Sequence, residues 1–112
     1  MNVAEKQGLF RETVDRIGRM ANLASRERDY FITLVHRAAD MGGVEAVFQR
    51  MNERNDDQAL DHLVEIKYGV LFRSLRFLAR FEPTGLKGPD LMVERDRVSA
   101  FVEVKHYRQG GR

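Results

Sequence analysis

Residues 88–105, which read GPDLMVERDRVSAFVEVK, decide the fold of this chain. On both sides of Asp96-Arg97, apolar residues alternate with other residues, and side chains along a β-strand point alternately to opposite faces of the sheet. The alternation predicts two strands, around residues 90–94 and 98–106, joined by a link that is short enough for a hairpin. The link lacks the Asn-Gly or Asp-Gly sequence that such hairpins favour.

A further strand is predicted before this hairpin, over residues 75–82. Every second residue of that segment, beginning with Leu75 and ending with Phe81, is apolar or aromatic. Pro83-Thr84-Gly85 then breaks the pattern and predicts a turn. The three segments together predict a three-stranded, largely antiparallel meander.

The chain before residue 75 has a helical period instead. Apolar residues recur every three or four positions in several segments, the last of which runs from about Asp57 to Phe72. Ser25 is expected to cap the second helix and Gly42-Gly43 to end it. Gly69 weakens the last helix by about 1 kcal/mol relative to Ala, so we expect it to allow close packing. The predicted fold class is α+β, with N-terminal helices followed by the meander.

Length and composition restrict the class of protein. A chain of 112 residues forms one domain by size. No run of about 18 apolar residues is present, so no membrane span is expected. The first residues do not resemble a secretion signal, and the absence of cysteine excludes disulfides and thiolate metal sites. These features favour a cytoplasmic protein.

Positive charge is concentrated in the last third of the chain. Residues 1–72 hold 10 Lys and Arg against 12 Asp and Glu, whereas residues 73–112 hold 9 against 5. Basic side chains in this part could contact the phosphates of a nucleic acid. The candidates are Arg76, Arg80, Lys87 and Arg108. The alternative is a solvated surface that is rich in Arg without a binding role.

Three charged residues of the predicted hairpin form a candidate site. Asp90 opens one strand after a proline, and Glu103 and Lys105 lie on the same face at the end of the next strand. Such a group suits a divalent metal ion and a water nucleophile. The alternative is an ordinary hairpin with an exposed Glu103–Lys105 pair and a turn closed by Asp90. A second Glu-x-Lys triplet, at residues 65–67 in a predicted helix, shows that the triplet alone has little weight.

This arrangement resembles the PD-(D/E)xK nuclease superfamily of restriction-endonuclease-like enzymes. The resemblance covers residues from about 57 to 108. It divides the chain into a helical N-terminal region, 1–56, and a partial nuclease-like α-β-β-β unit, 57–112. The resemblance implies metal-dependent hydrolysis of phosphodiester bonds, most simply in DNA.

The resemblance also implies roles for individual residues. Asp90 and Glu103, with the main-chain carbonyl of Val104, would hold Mg²⁺ or Mn²⁺, and Lys105 would position the attacking water. Many members carry an acidic residue on the helix before the first strand, aimed at the metal. Glu65 occupies that place in this chain.

The chain departs from the superfamily after Lys105, because members usually continue with another helix and strand. We therefore expect a fragment of a longer protein, a homodimer in which a second copy completes the sheet, or a sheet face covered by the N-terminal helices. Two other functions stay open. One is a non-catalytic nucleic-acid-binding module that uses the basic C-terminal half, and the other is a helical protein-interaction domain that uses residues 1–55.

Overall fold

Four helices precede three strands in a computed structural model that describes residues 1–82 and 90–105. The helices are α1 (Val3–Gly18), α2 (Ser25–Ala38), α3 (Val44–Asn52) and α4 (Asp56–Ser74). The strands are β1 (Leu78–Phe81), β2 (Leu91–Arg95) and β3 (Val98–Val102), and they form one antiparallel sheet in the order β1-β2-β3. The predicted α+β class is confirmed. The turn predicted at Pro83-Thr84-Gly85 lies outside the described residues.

Asparagine side chains cap the first and the last helix, α1 and α4. Asn2 accepts a hydrogen bond from the Glu5 amide at 2.8 Å, and the Glu5 carboxylate accepts one from the Asn2 amide, which forms a capping box. The expectation that Ser25 caps α2 is wrong by one residue. The cap position belongs to Ala24, whose amide donates to the Glu27 carboxylate at 2.9 Å, so Ser25 already lies in the first turn.

The strand predicted from residue 75 begins only at Leu78, because the residues before it terminate α4. The Arg76 amide donates to the Arg73 carbonyl and the Phe77 amide to the Phe72 carbonyl, at 3.0 and 3.1 Å. These two bonds, with Arg76 at a φ of 69°, form a Schellman motif. The Phe72 and Phe77 rings meet edge to face at 5.5 Å and supply the apolar contact that accompanies the motif.

One apolar core joins the helices to the inner face of the sheet. α4 is central to it, because this helix packs against α2, α3 and β1. The residues that are almost fully buried come from every helix and from β1 and β2. The larger ones are Ile17, Met20, Val35, Val47, Met51, Leu63, Ile66, Phe81 and Leu91.

Phe81 attaches the sheet to the helices at two glycine positions. A Cβ atom added at Gly69 would lie 2.5 Å from Phe81 Cζ, so the bare backbone of α4 is what admits the ring. The Phe81 amide donates to the Gly42 carbonyl at 2.8 Å. The neighbouring Gly43 has a φ of 78°, and a Cβ there would lie 2.0 Å from the Phe81 carbonyl oxygen. The close packing expected at Gly69 is therefore present.

The hairpin between β2 and β3 has a two-residue turn. Asp96 and Arg97 have φ values of 53° and 67°, and the strands close on the pair Arg95–Val98. A type I′ turn requires positive φ at both central residues. The short link predicted from the sequence is therefore formed without the glycine that usually favours it.

Substitutions of two helical glycines test the packing at Phe81. We expect Gly69→Ala to lower the free energy of unfolding by about 1–3 kcal/mol, because overpacking against the buried ring outweighs the gain in helix propensity. Gly8→Ala is the matched control, since a Cβ at Gly8 in α1 meets no atom within 4 Å. It should raise the free energy of unfolding by about 0.5–1 kcal/mol. Urea denaturation measures both values, and a stabilising Gly69→Ala would contradict the packing argument.

Candidate functional site

Asp90 ties the start of β2 to the residues that follow β3. Its amide donates to the Val102 carbonyl at 3.0 Å, and its Oδ2 accepts a hydrogen bond from the Val104 amide at 2.7 Å. Before β2 begins, the Asp90 carboxylate therefore accepts the kind of hydrogen bond that a main-chain carbonyl accepts within the sheet. Because this bond holds the Val104 backbone against Asp90, the backbones of the adjoining residues Glu103 and Lys105 also lie close to Asp90.

Glu103 and Lys105 lie on one side of the chain, as the alternation predicts. The Lys105 Nζ is 3.3 Å from the Glu103 Oε1, and the two side chains are 62% and 66% exposed respectively. Val102 and Val104 are half-buried and pack against the core. The strand predicted to continue through residue 106 ends at Val102. Beyond it, the Val104 amide donates to the Asp90 side chain and not to the backbone of β2.

The Asp90 carboxylate lies in a neighbourhood shared by other charged groups. Burial raises the pKa of Asp90, and the negative charges of Glu65 and Glu103 raise it further. The hydrogen bond from Val104 and the positive charge of Arg50 act in the opposite direction. The fold therefore brings α3, α4, β2 and the end of β3 together around one half-buried carboxylate. Of the four residues predicted as catalytic, Glu65 and Glu103 each lie close enough to Asp90 to influence its carboxylate, and Lys105 pairs with Glu103.

Glu65 projects from α4 beside His62. His62 precedes it by one helical turn, and the His62 Nδ1 is 3.2 Å from the Glu65 Oε1. Both side chains are less than 15% exposed. The Arg50 Nε is buried without a hydrogen-bond partner among the described residues.

The donor atoms at this site suit a hard cation. Carboxylate and main-chain carbonyl oxygens are the ligands that Mg²⁺ prefers, and a cation would relieve the repulsion that Glu65 and Glu103 exert on Asp90. Within residues 1–82 and 90–105, however, no three His, Asp or Glu side chains are already placed to hold a metal ion. One Asp90 oxygen binds the Val104 amide, and Glu103 is turned toward Lys105.

An open groove of about 290 Å³ lies beside the Glu103–Lys105 pair. Tyr68 and Phe72 of α4 form one wall, and residues 102–105 form the other. The sequence did not identify this wall, because Tyr68 and Phe72 belong to a helix that is distant in the chain. The groove gives the charged pair a concave, partly aromatic neighbour.

The predicted nucleic-acid contacts are described only in part. Arg80 is exposed on β1, where its guanidinium is 3.3 Å from a Glu82 carboxylate oxygen and from the Met92 sulfur. Arg76 is exposed in the left-handed position that ends α4. Lys87 and Arg108 lie outside the described residues.

Comparisons with protein-family models, with curated proteins and with solved structures gave no match. None of the helices in residues 1–82 and 90–105 combines the length and the apolar composition that crossing a bilayer requires.

The raised pKa of Asp90 predicts how its amide variant responds to pH. A carboxyl whose pKa is higher in the folded state destabilises the fold as pH rises from its unfolded value, about 3.9, through the folded value. Asp90→Asn removes that cost and keeps an oxygen for the Val104 amide. We expect a higher melting temperature than the wild type at pH 7, with a difference that shrinks toward pH 4. Scanning calorimetry across this range measures it.

Asp40→Asn is the control of opposite sign. Asp40 is exposed, and its hydrogen bonds from Arg73 lower the pKa of its carboxyl. The ionised Asp40 stabilises the fold above its unfolded pKa, and that contribution is lost as pH falls through the lower folded value. The amide variant should therefore melt below the wild type at pH 7. If Asp90→Asn also melted below the wild type at pH 7, the electrostatic account of Asp90 would be wrong.

Arg76→Gly tests whether the left-handed residue after α4 is strained. A side chain at positive φ costs about 1–2 kcal/mol, and glycine is the usual residue at this position of a Schellman motif. We expect a gain of about 1 kcal/mol in the free energy of unfolding, measured by urea denaturation. Arg54→Gly, an exposed position outside the helices, is the comparison. A destabilised Arg76→Gly would show that contacts of the Arg76 side chain outweigh the backbone effect.

Proposed function

We propose that this chain is a metal-dependent nuclease that hydrolyses phosphodiester bonds of DNA, or a part of one. The observation that carries the proposal is the 2.7 Å hydrogen bond between the Asp90 carboxylate and the Val104 amide. This bond joins Asp90, which precedes β2, to the Glu103–Lys105 triplet, which follows β3. Glu65 lies within electrostatic range of the same carboxylate and supports the grouping.

The proposed work of the chain is to hold charge and water in place. Mg²⁺ or Mn²⁺, held by Asp90, Glu103 and the Val104 carbonyl, would neutralise charge on the phosphate and lower the pKa of a bound water. Lys105 donates a hydrogen bond to the attacking water and keeps it beside Glu103. Glu65 adds negative potential at Asp90, which strengthens the binding of a cation.

The proposed substrate is a nucleic acid because cationic and aromatic side chains flank the triplet. Tyr68 in the groove wall has the Lys67 Nζ 5.8 Å from its ring centre. Aromatic rings beside positive charge suit a strand whose bases stack and whose phosphates need neutralisation. Arg76 and Arg80, with Lys87 and Arg108, are the proposed phosphate contacts. We place the activity in the cytoplasm, since a chain without cysteine needs no oxidising compartment.

A non-catalytic nucleic-acid-binding module is the second candidate. Its support is that Glu103 pairs with Lys105 and that the described residues form no ready metal group. In such a module Asp90 anchors the end of β3 and has no chemical role. Binding would then depend on salt concentration and be independent of metal.

Cleavage assays with matched variants test the nuclease proposal. Plasmid, single-stranded and branched DNA are incubated with Mg²⁺ or Mn²⁺ and the wild type, Lys105→Ala or Asp90→Asn. We expect metal-dependent cleavage that each substitution lowers at least 100-fold, since each removes a charge at the reacting phosphate. Asp96→Asn, the same carboxylate-to-amide change at the exposed hairpin turn, should retain the wild-type rate.

Each outcome of the assay has a distinct meaning. A folded Asp90→Asn that cleaves as fast as the wild type would refute a catalytic role for Asp90. Absence of cleavage by a folded wild type, with DNA binding that weakens as salt is raised, would favour the binding module.

A further inference from the structure

β3 has one edge that pairs with β2 and one that pairs with no strand among the described residues. The two-residue hairpin makes Arg95–Val98 a hydrogen-bonded pair, and such pairs alternate along antiparallel strands. The main-chain groups of Val98, Ala100 and Val102 therefore point toward β2. Those of Ser99 and Phe101 point to the open edge, where they are ready to bond to another strand.

The open edge lacks the usual protection against pairing. Residues 98–101 are all exposed, including Val98 at 69% and Phe101 at 68%. Edge strands of monomeric proteins usually carry a proline, an inward-pointing charge or a bulge in their middle. β3, with the sequence VSAFV, has neither a proline nor a charged residue. An exposed apolar strand of this kind is suited to pairing with another strand.

We propose that β3 pairs antiparallel with β3 of a second copy of this chain, about a two-fold axis at Ala100. Ala100 then faces Ala100, Ser99 faces Phe101 and Val98 faces Val102. One step further out, Arg97 of each copy faces Glu103 of the other. We assign the partner strand to a second copy of the chain, because this register brings opposite charges together at both ends of the paired strands.

Neighbouring registers lack this complementarity. An axis at Phe101 would place Arg97 opposite Lys105 twice, which brings like charges together. An axis between Ala100 and Phe101 would place the outward main-chain groups of Ser99 against Val102, whose groups already bond to β2. The axis at Ala100 is favoured by both the hydrogen-bonding pattern and the charges.

The pairing would extend the sheet to six strands and bury the exposed ring on its outer face. Phe101 of one copy becomes the diagonal neighbour of Phe101 of the other, within reach of an aromatic contact. Arg97 of the second copy would also enter beside Glu103 and Lys105. This last consequence rests on the proposed function, where it adds a cation next to the reacting phosphate, whereas the pairing itself does not depend on catalysis.

Two proline variants separate pairing between copies from folding. The Ser99 amide points to the open edge, so Ser99→Pro removes a donor to the second copy and leaves the bonds to β2 in place. The Ala100 amide points to β2, so Ala100→Pro breaks the hairpin of its own chain. Sedimentation equilibrium should show a wild-type dimer and a folded Ser99→Pro monomer, with circular dichroism reporting the fold. Ala100→Pro should lose both the dimer and the hairpin.

Charge reversal tests the register itself. Arg97→Glu alone and Glu103→Arg alone should each weaken self-association about tenfold or more, since each places like charges together at both ends. An equimolar mixture of the two variants should form a heterodimer near wild-type affinity, because both Arg–Glu pairs are restored. A tag on one variant allows the heterodimer to be captured and quantified.

Three results would overturn the proposal. They are a wild type that stays monomeric up to about 1 mM, a dimer that persists in Ser99→Pro, and charge variants whose mixture forms no heterodimer. The readout is oligomeric state, so a wild type without nuclease activity leaves the test intact. Conversely, an active monomer would refute the pairing and leave the nuclease proposal standing.

Discussion

The contact between Phe81 and Gly69 positions the rest of the structure. The ring of Phe81 lies on the bare backbone of α4, and the Phe81 amide binds the Gly42 carbonyl before α3. Since Phe81 pairs with Leu91, this one residue sets the distance from the helices to β2. Asp90 adjoins Leu91, and Glu65 lies one helical turn before Gly69. The distance between the Asp90 and Glu65 carboxylates therefore depends on how closely the Phe81 ring approaches α4.

The Asp90 carboxylate combines a structural contact with electrostatic strain. It anchors the chain after β3 through the Val104 amide, and burial together with two neighbouring carboxylates raises its pKa. Groups with perturbed pKa values cluster where chemistry occurs, because the arrangement that makes ionisation costly also makes the charge useful. The same site leaves the Arg50 Nε without a hydrogen-bond partner among the described residues.

Within residues 1–82 and 90–105, three non-glycine residues adopt left-handed backbone conformations at the ends of elements. Arg76 ends α4, and Asp96 and Arg97 turn the hairpin. Each places a charged side chain at an exposed corner where glycine would fold more easily. A protein that retains charge at such positions accepts some loss of stability, which is common where a surface serves binding. The phosphate contacts proposed for Arg76 and the pairing proposed for Arg97 use two of these corners.

The sequence by itself determined the local features of this protein. Alternation and helical period are properties of neighbouring residues, so they predicted the element order, the hairpin and the common side of Glu103 and Lys105. They failed at Leu75 and Phe77, because the alternation that is typical of a strand also occurs in the residues that cap α4. Tertiary structure alone decided that Arg50 and Glu65 lie within electrostatic range of Asp90 and that Tyr68 and Phe72 form the groove wall. These residues are distant from the hairpin in the chain, and only the packing of α3 and α4 against the sheet brings them to it.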